Sequence, residues 1–170
     1  FVVGGMDEDG ILHIKNVIRE RMDGSSIVET TLHLQKHYEP VSFAMEDGQI
    51  SKSLLPYLKN EMLRRNVFIN LLVVKPVKDK VTRAGSIQAR MRAGGVKFDK
   101  SQDWYQTFED ELLRFPRDKH DDQVDAFSWL GQIVDKMMDH PTAMEEDEEE
   151  YHEFTKKYAQ NEGRSQITGY

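Results

Sequence analysis

Two acidic features of this 170-residue sequence could do chemistry. Glu46 ends a short, mostly apolar run, Val41-Ser42-Phe43-Ala44-Met45-Glu46, which reads as a buried strand closing on an acid. Ligand sites of open α/β sheets gather at the C-terminal ends of strands. The second feature is His120-Asp121-Asp122-Gln123-Val124-Asp125, at the start of a predicted helix. Asp122 and Asp125 are three residues apart and Asp121 and Asp125 four apart, so they can share a helix face. Carboxylates arriving from a strand end and a helix start could converge on a hard divalent cation. Magnesium and manganese favour carboxylate oxygens and water, and the sequence holds no cysteine to offer a thiolate instead. Two such ions, about 3.5–4 Å apart, can activate a water and stabilise the leaving oxygen of a phosphodiester.

Each feature also has a bland explanation. Asp at a helix start is an ordinary cap that complements the helix dipole, and the Asp121-Asp122 pair by itself reads as capping. A single Glu46 at a strand end reads as a surface carboxylate. His120 could protonate a leaving group, but a loop histidine beside two acids reads first as their hydrogen-bonding partner. Trp104 and Tyr105 could stack bases, yet the four-residue step from Trp104 to Phe108 favours core packing. Trp129, on the last helix, reads as packing against a neighbouring element. His13, His33, His37, His140 and His152 are scattered, without zinc spacing.

The elements that must position these acids follow from local pattern. Phe1 to Gly5 is a strand end, Asp7-Glu8-Asp9-Gly10 a turn, and Ile11 to Glu20 a second strand closing a hairpin. Gly24-Ser25-Ser26 opens a helix to about Tyr38, with Ile27, Thr31, Leu34 and Tyr38 on one face, and Pro40 ends it. After Glu46, Ser51 or Ser53 caps a helix carrying Leu54, Leu58 and Met62, with Pro56 in its first turn. Val67 to Val74 is a buried strand. Thr82 to Ala93 is a helix stopped by Gly94-Gly95, and Val96 to Phe98 a short strand. Asp103 caps a helix with Trp104, Phe108 and Leu112 on one stripe, broken at Phe115-Pro116. Asp121 opens the last helix, with Val124, Phe127, Gly131, Val134 and Met138 inward. A meander followed by alternation predicts an α/β fold, a mixed sheet covered by helices. Residues 1–140 are expected to form the domain and residues 141–170 an acidic, flexible tail.

Composition bounds the function. No run approaches the roughly 20 apolar residues of a membrane span, and no signal peptide precedes the first element. Without cysteine, disulfide scaffolds and thiolate zinc sites are excluded. No GxxxxGK[ST] loop is present, so the chain is not itself a nucleotide-driven motor. The formal net charge of -7 is unevenly spread: the part from Pro141 onward carries -5, leaving -2 elsewhere. Within that remainder, Lys75 to Lys100 carries +6. Such a segment can bind phosphates by counterion release, or it can be a solvated helix face.

Taken together, the pieces resemble the C-terminal nuclease domain of the large terminase subunit of tailed bacteriophages and prophages. The resemblance runs in order along nearly the whole chain up to the acidic stretch. It rests on Val2-Val3-Gly4-Gly5 with Asp9-Gly10, Arg19-Glu20-Arg21-Met22, Ala44-Met45-Glu46-Asp47-Gly48, Asp79-Lys80-Val81-Thr82-Arg83-Ala84 and Gly94-Gly95-Val96-Lys97-Phe98. Glu111-Leu112-Leu113-Arg114-Phe115-Pro116, leading into His120-Asp121-Asp122-Gln123-Val124-Asp125-Ala126, is the most specific part. The resemblance implies an RNase H-like fold and a two-metal endonuclease that cuts concatemeric double-stranded viral DNA. Glu46 then matches the acid of a central strand, and Asp122 and Asp121 the acids at the start of the final helix. Those three are the implied ligands of Mg2+ or Mn2+, and Asp125 is a fourth catalytic candidate. Lys80 and Arg83 match the family's basic turn and, with Lys78, Arg90 and Arg92 of the basic segment, are the expected DNA contacts, with an ion pair to Asp79 as the alternative for Arg83. The implied partners are the terminase ATPase domain, the small terminase subunit and the portal, in the cytoplasm of the infected or lysogenic host, with no membrane.

In one respect the sequence departs from that family. The family fold begins with a central strand carrying the first catalytic Asp, just before the segment matching Phe1 to Gly5. That strand is absent here, and Asp7 and Asp9, in a turn, do not replace it. The sequence, which begins at Phe1, is therefore expected to be a fragment with an incomplete metal site, inactive alone. Two other readings stay open: a resolvase-like nuclease for branched DNA, and a non-catalytic interaction module of the packaging motor.

Overall fold

The computed structural model describes residues 1–75, 79–118 and 120–139. Phe1–Val134 form one compact unit, which contains both sheets and all the candidate acids. The elements are β1 (Val2–Met6), β2 (Leu12–Val17), α1 (Gly24–Tyr38), β3 (Phe43–Glu46), α2 (Gln49–Arg65), β4 (Leu71–Val74), α3 (Lys80–Arg92), β5 (Val96–Phe98), α4 (Tyr105–Arg114) and α5 (Asp122–Asp139). Their order is the expected one, and the fold is mixed α/β, with five helices among the described residues. No helix among the described residues is long and apolar enough to cross a membrane.

The strands make two sheets. β1 pairs antiparallel with β2, which pairs in parallel with β5, while β3 and β4 form a separate parallel pair. The β1–β2 turn is tight because Gly10 sits at φ 75°, open to a residue without Cβ. Asp7 accepts from the main-chain N–H groups of Asp9 and Ile11 and from His13 Nε2 at 2.7 Å. The His13 bond first, then the Ile11 bond, hold the Asp7 carboxyl below its usual range. Asp7 and Asp9 are thus turn residues.

Each sheet has its own core. Leu12, Ile14 and Val17 of β2 pack with Ile87, Phe108, Phe127 and Val134 from the three C-terminal helices. Phe108 and Phe127 are fully buried and meet edge to face, centroids 5.4 Å apart, and burying each ring stabilises by about 1.5–3 kcal/mol. Trp104 stands edge-on to Phe108, as its spacing predicts. The second core is Val28 and Leu32 of α1, Leu54 and Leu58 of α2, and Val67, with Leu71 of β4 against it. Arg65 fastens the two helices by donating to both Glu61 and Glu29.

Several sequence expectations shift. β3 and β4 are shorter than predicted, and β4 is not buried: Leu72 and Val73 are exposed. α2 starts earlier, at Gln49, which puts Pro56 in its interior rather than its first turn. Ser51 does serve its start, accepting from Gly48 N–H and donating to Gly48 O, both at 2.9 Å. α3 starts at Lys80, because the Asp79 side chain caps it by accepting from Thr82 N–H. α4 opens at Tyr105 without a cap from Asp103. The inward face of α1 is centred on Val28, Thr31 and Leu32. Met138, expected inward, is exposed. The expected tail, 141–170, lies outside the described residues.

Candidate functional site

The start of α5 decides what its acids are free to do. The first N–H groups of a helix have no intrahelical acceptor and need a partner. Here the partner comes from α4. The buried Glu111 carboxylate accepts from the main-chain N–H of Gln123 at 2.7 Å and of Val124 at 3.1 Å, and from the Gln123 side-chain amide at 2.7 Å. The positive helix end and Arg19 Nε, 3.7 Å away, offset the burial of its charge. Asp121 supplies the carbonyl for the first helical bond, from Asp125 N–H, but its carboxylate is spared the capping that such a position usually demands.

That carboxylate faces α3. Lys80 Nζ donates to Asp121 Oδ1 at 2.7 Å and stands 3.3 Å from Asp125 Oδ2. The bond to Asp121, with the charge of Asp125, raises the Lys80 ammonium above its ordinary value. One turn along α3, Arg83 Nη2 donates to Asp125 Oδ1 at 2.6 Å. The Arg83 guanidinium lies over the Trp129 ring, 4.9 Å from its centroid, and Trp129 Nε1 donates to Glu46 Oε2 at 3.0 Å. One polar chain therefore runs Asp121–Lys80–Asp125–Arg83–Trp129–Glu46. It joins α3, α5 and the C-terminal end of β3.

Three of the four expected catalytic acids, Glu46, Asp121 and Asp125, belong to this chain. Asp122 is exposed and stands outside it. The acids are linked through cations and an indole rather than gathered around a common point. Among the described residues, no three His, Asp or Glu side chains cluster closely enough to hold a metal ion. Carboxylate oxygens suit magnesium or manganese by donor type, but the full ligand set is not assembled from these residues, and Lys80 holds the position between two of them. His120 is exposed and bonds neither neighbouring acid, contrary to the reading of it as their partner.

The expected DNA contacts divide. Lys80 is half exposed, at 52%, and Arg92 is exposed at the end of α3. Arg83 is only 4% exposed and committed to Asp125, so it has no face for a phosphate. It does not pair with Asp79 either, whose carboxylate is taken by Thr82. Arg90 donates to Gly10 O at 3.2 Å and braces the β1–β2 turn. Lys78 lies outside the described residues. Sequence reasoning missed Glu111 as the cap of α5, a tertiary contact that no local signal announces. It also missed Trp129 as a donor, although Trp129 lies four residues after Asp125 and so shares its helix face.

No curated protein matches the chain. Compared with protein families, residues 2–132 match the terminase RNase H-like domain. That span takes in both sheets and every acid of the polar chain, and the chain belongs to the terminase RNase H-like domain family.

Proposed function

We propose that this chain is the metal-dependent endonuclease domain of a genome-packaging terminase, cutting concatemeric double-stranded DNA by two-metal phosphodiester hydrolysis. Family membership implies DNA and the packaging motor as partners in general. The observation that carries the catalytic reading is the release of Asp121 from capping by Glu111. An acid at a helix start that does not cap needs another explanation, and Asp121 spends its charge on a cation instead.

In this reading Glu46, Asp121 and Asp122 would hold magnesium or manganese, with Asp125 as a supporting acid. The bound ions would supply an activated water and counter-charge for the leaving oxygen. The chain's own residues prepare the site. Asp122 is exposed and has no competing partner among the described residues. Lys80 pairs with Asp121 and shares Asp125 with Arg83, and its half-exposed ammonium can turn to a DNA phosphate. Lys78 and Arg92 add charge along the backbone without reading sequence.

Nicking of supercoiled plasmid in Mg2+ or Mn2+ tests the proposal, comparing this chain with a version extended at its N-terminus through a further strand. Metal-dependent nicking by the extended form supports the nuclease. Two folded proteins that never nick would remove it and favour a non-catalytic module.

A further inference from the structure

We infer that Arg83 and Trp129 are positioning residues, a cation–aromatic pair that fixes two acids of the site, Asp125 directly and Glu46 through the indole. The inference rests on the reading of those acids as part of a metal-dependent nuclease site.

Stability alone does not account for Arg83. A guanidinium 4% exposed is costly to bury, and an apolar side chain of similar volume would fill the space without that penalty. Nor is the group fully satisfied: its Nε is buried with no hydrogen-bond partner. What the residue does achieve is directional. Its Nη2 holds Asp125 Oδ1 at 2.6 Å, and its Cζ stands over the Trp129 ring, 4.9 Å from the centroid. The guanidinium over the ring limits how the indole can rotate, and the indole N–H donates to Glu46.

Trp129 gives the same indication. Trp104, the chain's other tryptophan, keeps its Nε1 buried without a partner, so this fold tolerates an unsatisfied indole. Trp129 instead directs its donor to the acid at the end of β3. The indole bridges α5 and β3, while Asp125 and Trp129, four residues apart, present one face of α5 to Arg83. A displacement of Arg83 would move both acids together.

Two tryptophans give two indole N–H resonances, and Trp129→Phe identifies which is which. In the full 170-residue chain, Glu46→Gln and Arg83→Met should each shift the Trp129 resonance and leave that of Trp104 in place. Trp129→Phe keeps the ring packing and removes the donor. In the terminase that carries this domain it should weaken Mn2+ binding, measured calorimetrically, by about 10-fold, as loss of a residue that orients a ligand does. In the active terminase it should lower kcat by a similar factor with KM for plasmid unchanged. A Trp129 resonance indifferent to Glu46→Gln, or Mn2+ binding unchanged in Trp129→Phe, would overturn the inference. Should Glu46→Gln abolish cleavage while Trp129→Phe cuts like wild type, the positioning role fails and the nuclease stands. Should Glu46→Gln cut normally, the nuclease site fails, whatever the resonances do.

Discussion

Glu111 on α4 accepts the main-chain N–H of Gln123, 2.7 Å away, and with it the N–H of Val124. The helix that carries Asp121, Asp122 and Asp125 is therefore capped from outside. Glu111→Ala would leave those buried donors unpaired, and we expect a loss of about 2–4 kcal/mol in urea unfolding. Asp121→Asn should cost less than about 1 kcal/mol, because its partner Lys80 is half exposed. If the two costs were reversed, Asp121 would be the cap after all.

Lys80 occupies the position that a divalent ion would contest. Lys80→Met should tighten Mn2+ binding by about 5-fold, close to 1 kcal/mol, because Asp121 loses its internal counter-ion. Titration calorimetry without DNA measures this. Unchanged or weaker binding would show that Lys80 and the metal do not compete.

Gly131 sets the approach of α5 to α3. A Cβ there would lie 2.8 Å from Ile87 Cβ, and Ile87 is 2% exposed, with no room to withdraw. Alanine would gain about 1 kcal/mol of helix propensity. Overpacking typically costs 1–3 kcal/mol, and a Cβ–Cβ clash falls at the upper end, about 3 kcal/mol. Gly131→Ala should therefore lower Tm and, by pushing Arg83 away from Trp129, shift the Trp129 indole resonance.

The start of α3 should be sensitive to acid. The side-chain bond from Thr82, followed by its main-chain N–H, holds the Asp79 carboxyl below its usual range. A lowered carboxylate contributes stability above its unfolded value, near 4, and loses it as pH falls through the folded one. The Tm difference between wild type and Asp79→Ala should be constant from about pH 7 to 5 and shrink toward about pH 2. A difference that grows on acidification would contradict the assignment.

Much of this was legible in the sequence where the signal is local. The element order, the turn at Asp7 to Gly10, the stop at Gly94 and the packing of Trp104 on Phe108 follow from turn chemistry and period. Glu46 and the α5 acids were visible by type and position. What was not legible depended on tertiary contact. Leu72 and Val73 look buried by composition, yet both are exposed in the two-stranded β3–β4 sheet. Arg83 looks like a DNA contact by charge, and Asp125 and Trp129 make it an interior residue. The cap on α5 comes from an acid twelve residues before Gln123, beyond the reach of any capping motif.

The most direct test is metal-dependent cleavage of supercoiled plasmid by the terminase that carries this domain, with wild type, Glu46→Gln and Asp121→Asn side by side in Mn2+. Circular dichroism and Tm establish that all three are folded. Loss of about 100-fold or more in both variants is the predicted result, as removal of a direct metal ligand should produce at least the upper effect of an outer-shell change. Undiminished cleavage in either folded variant would contradict the assignment of that acid to the site.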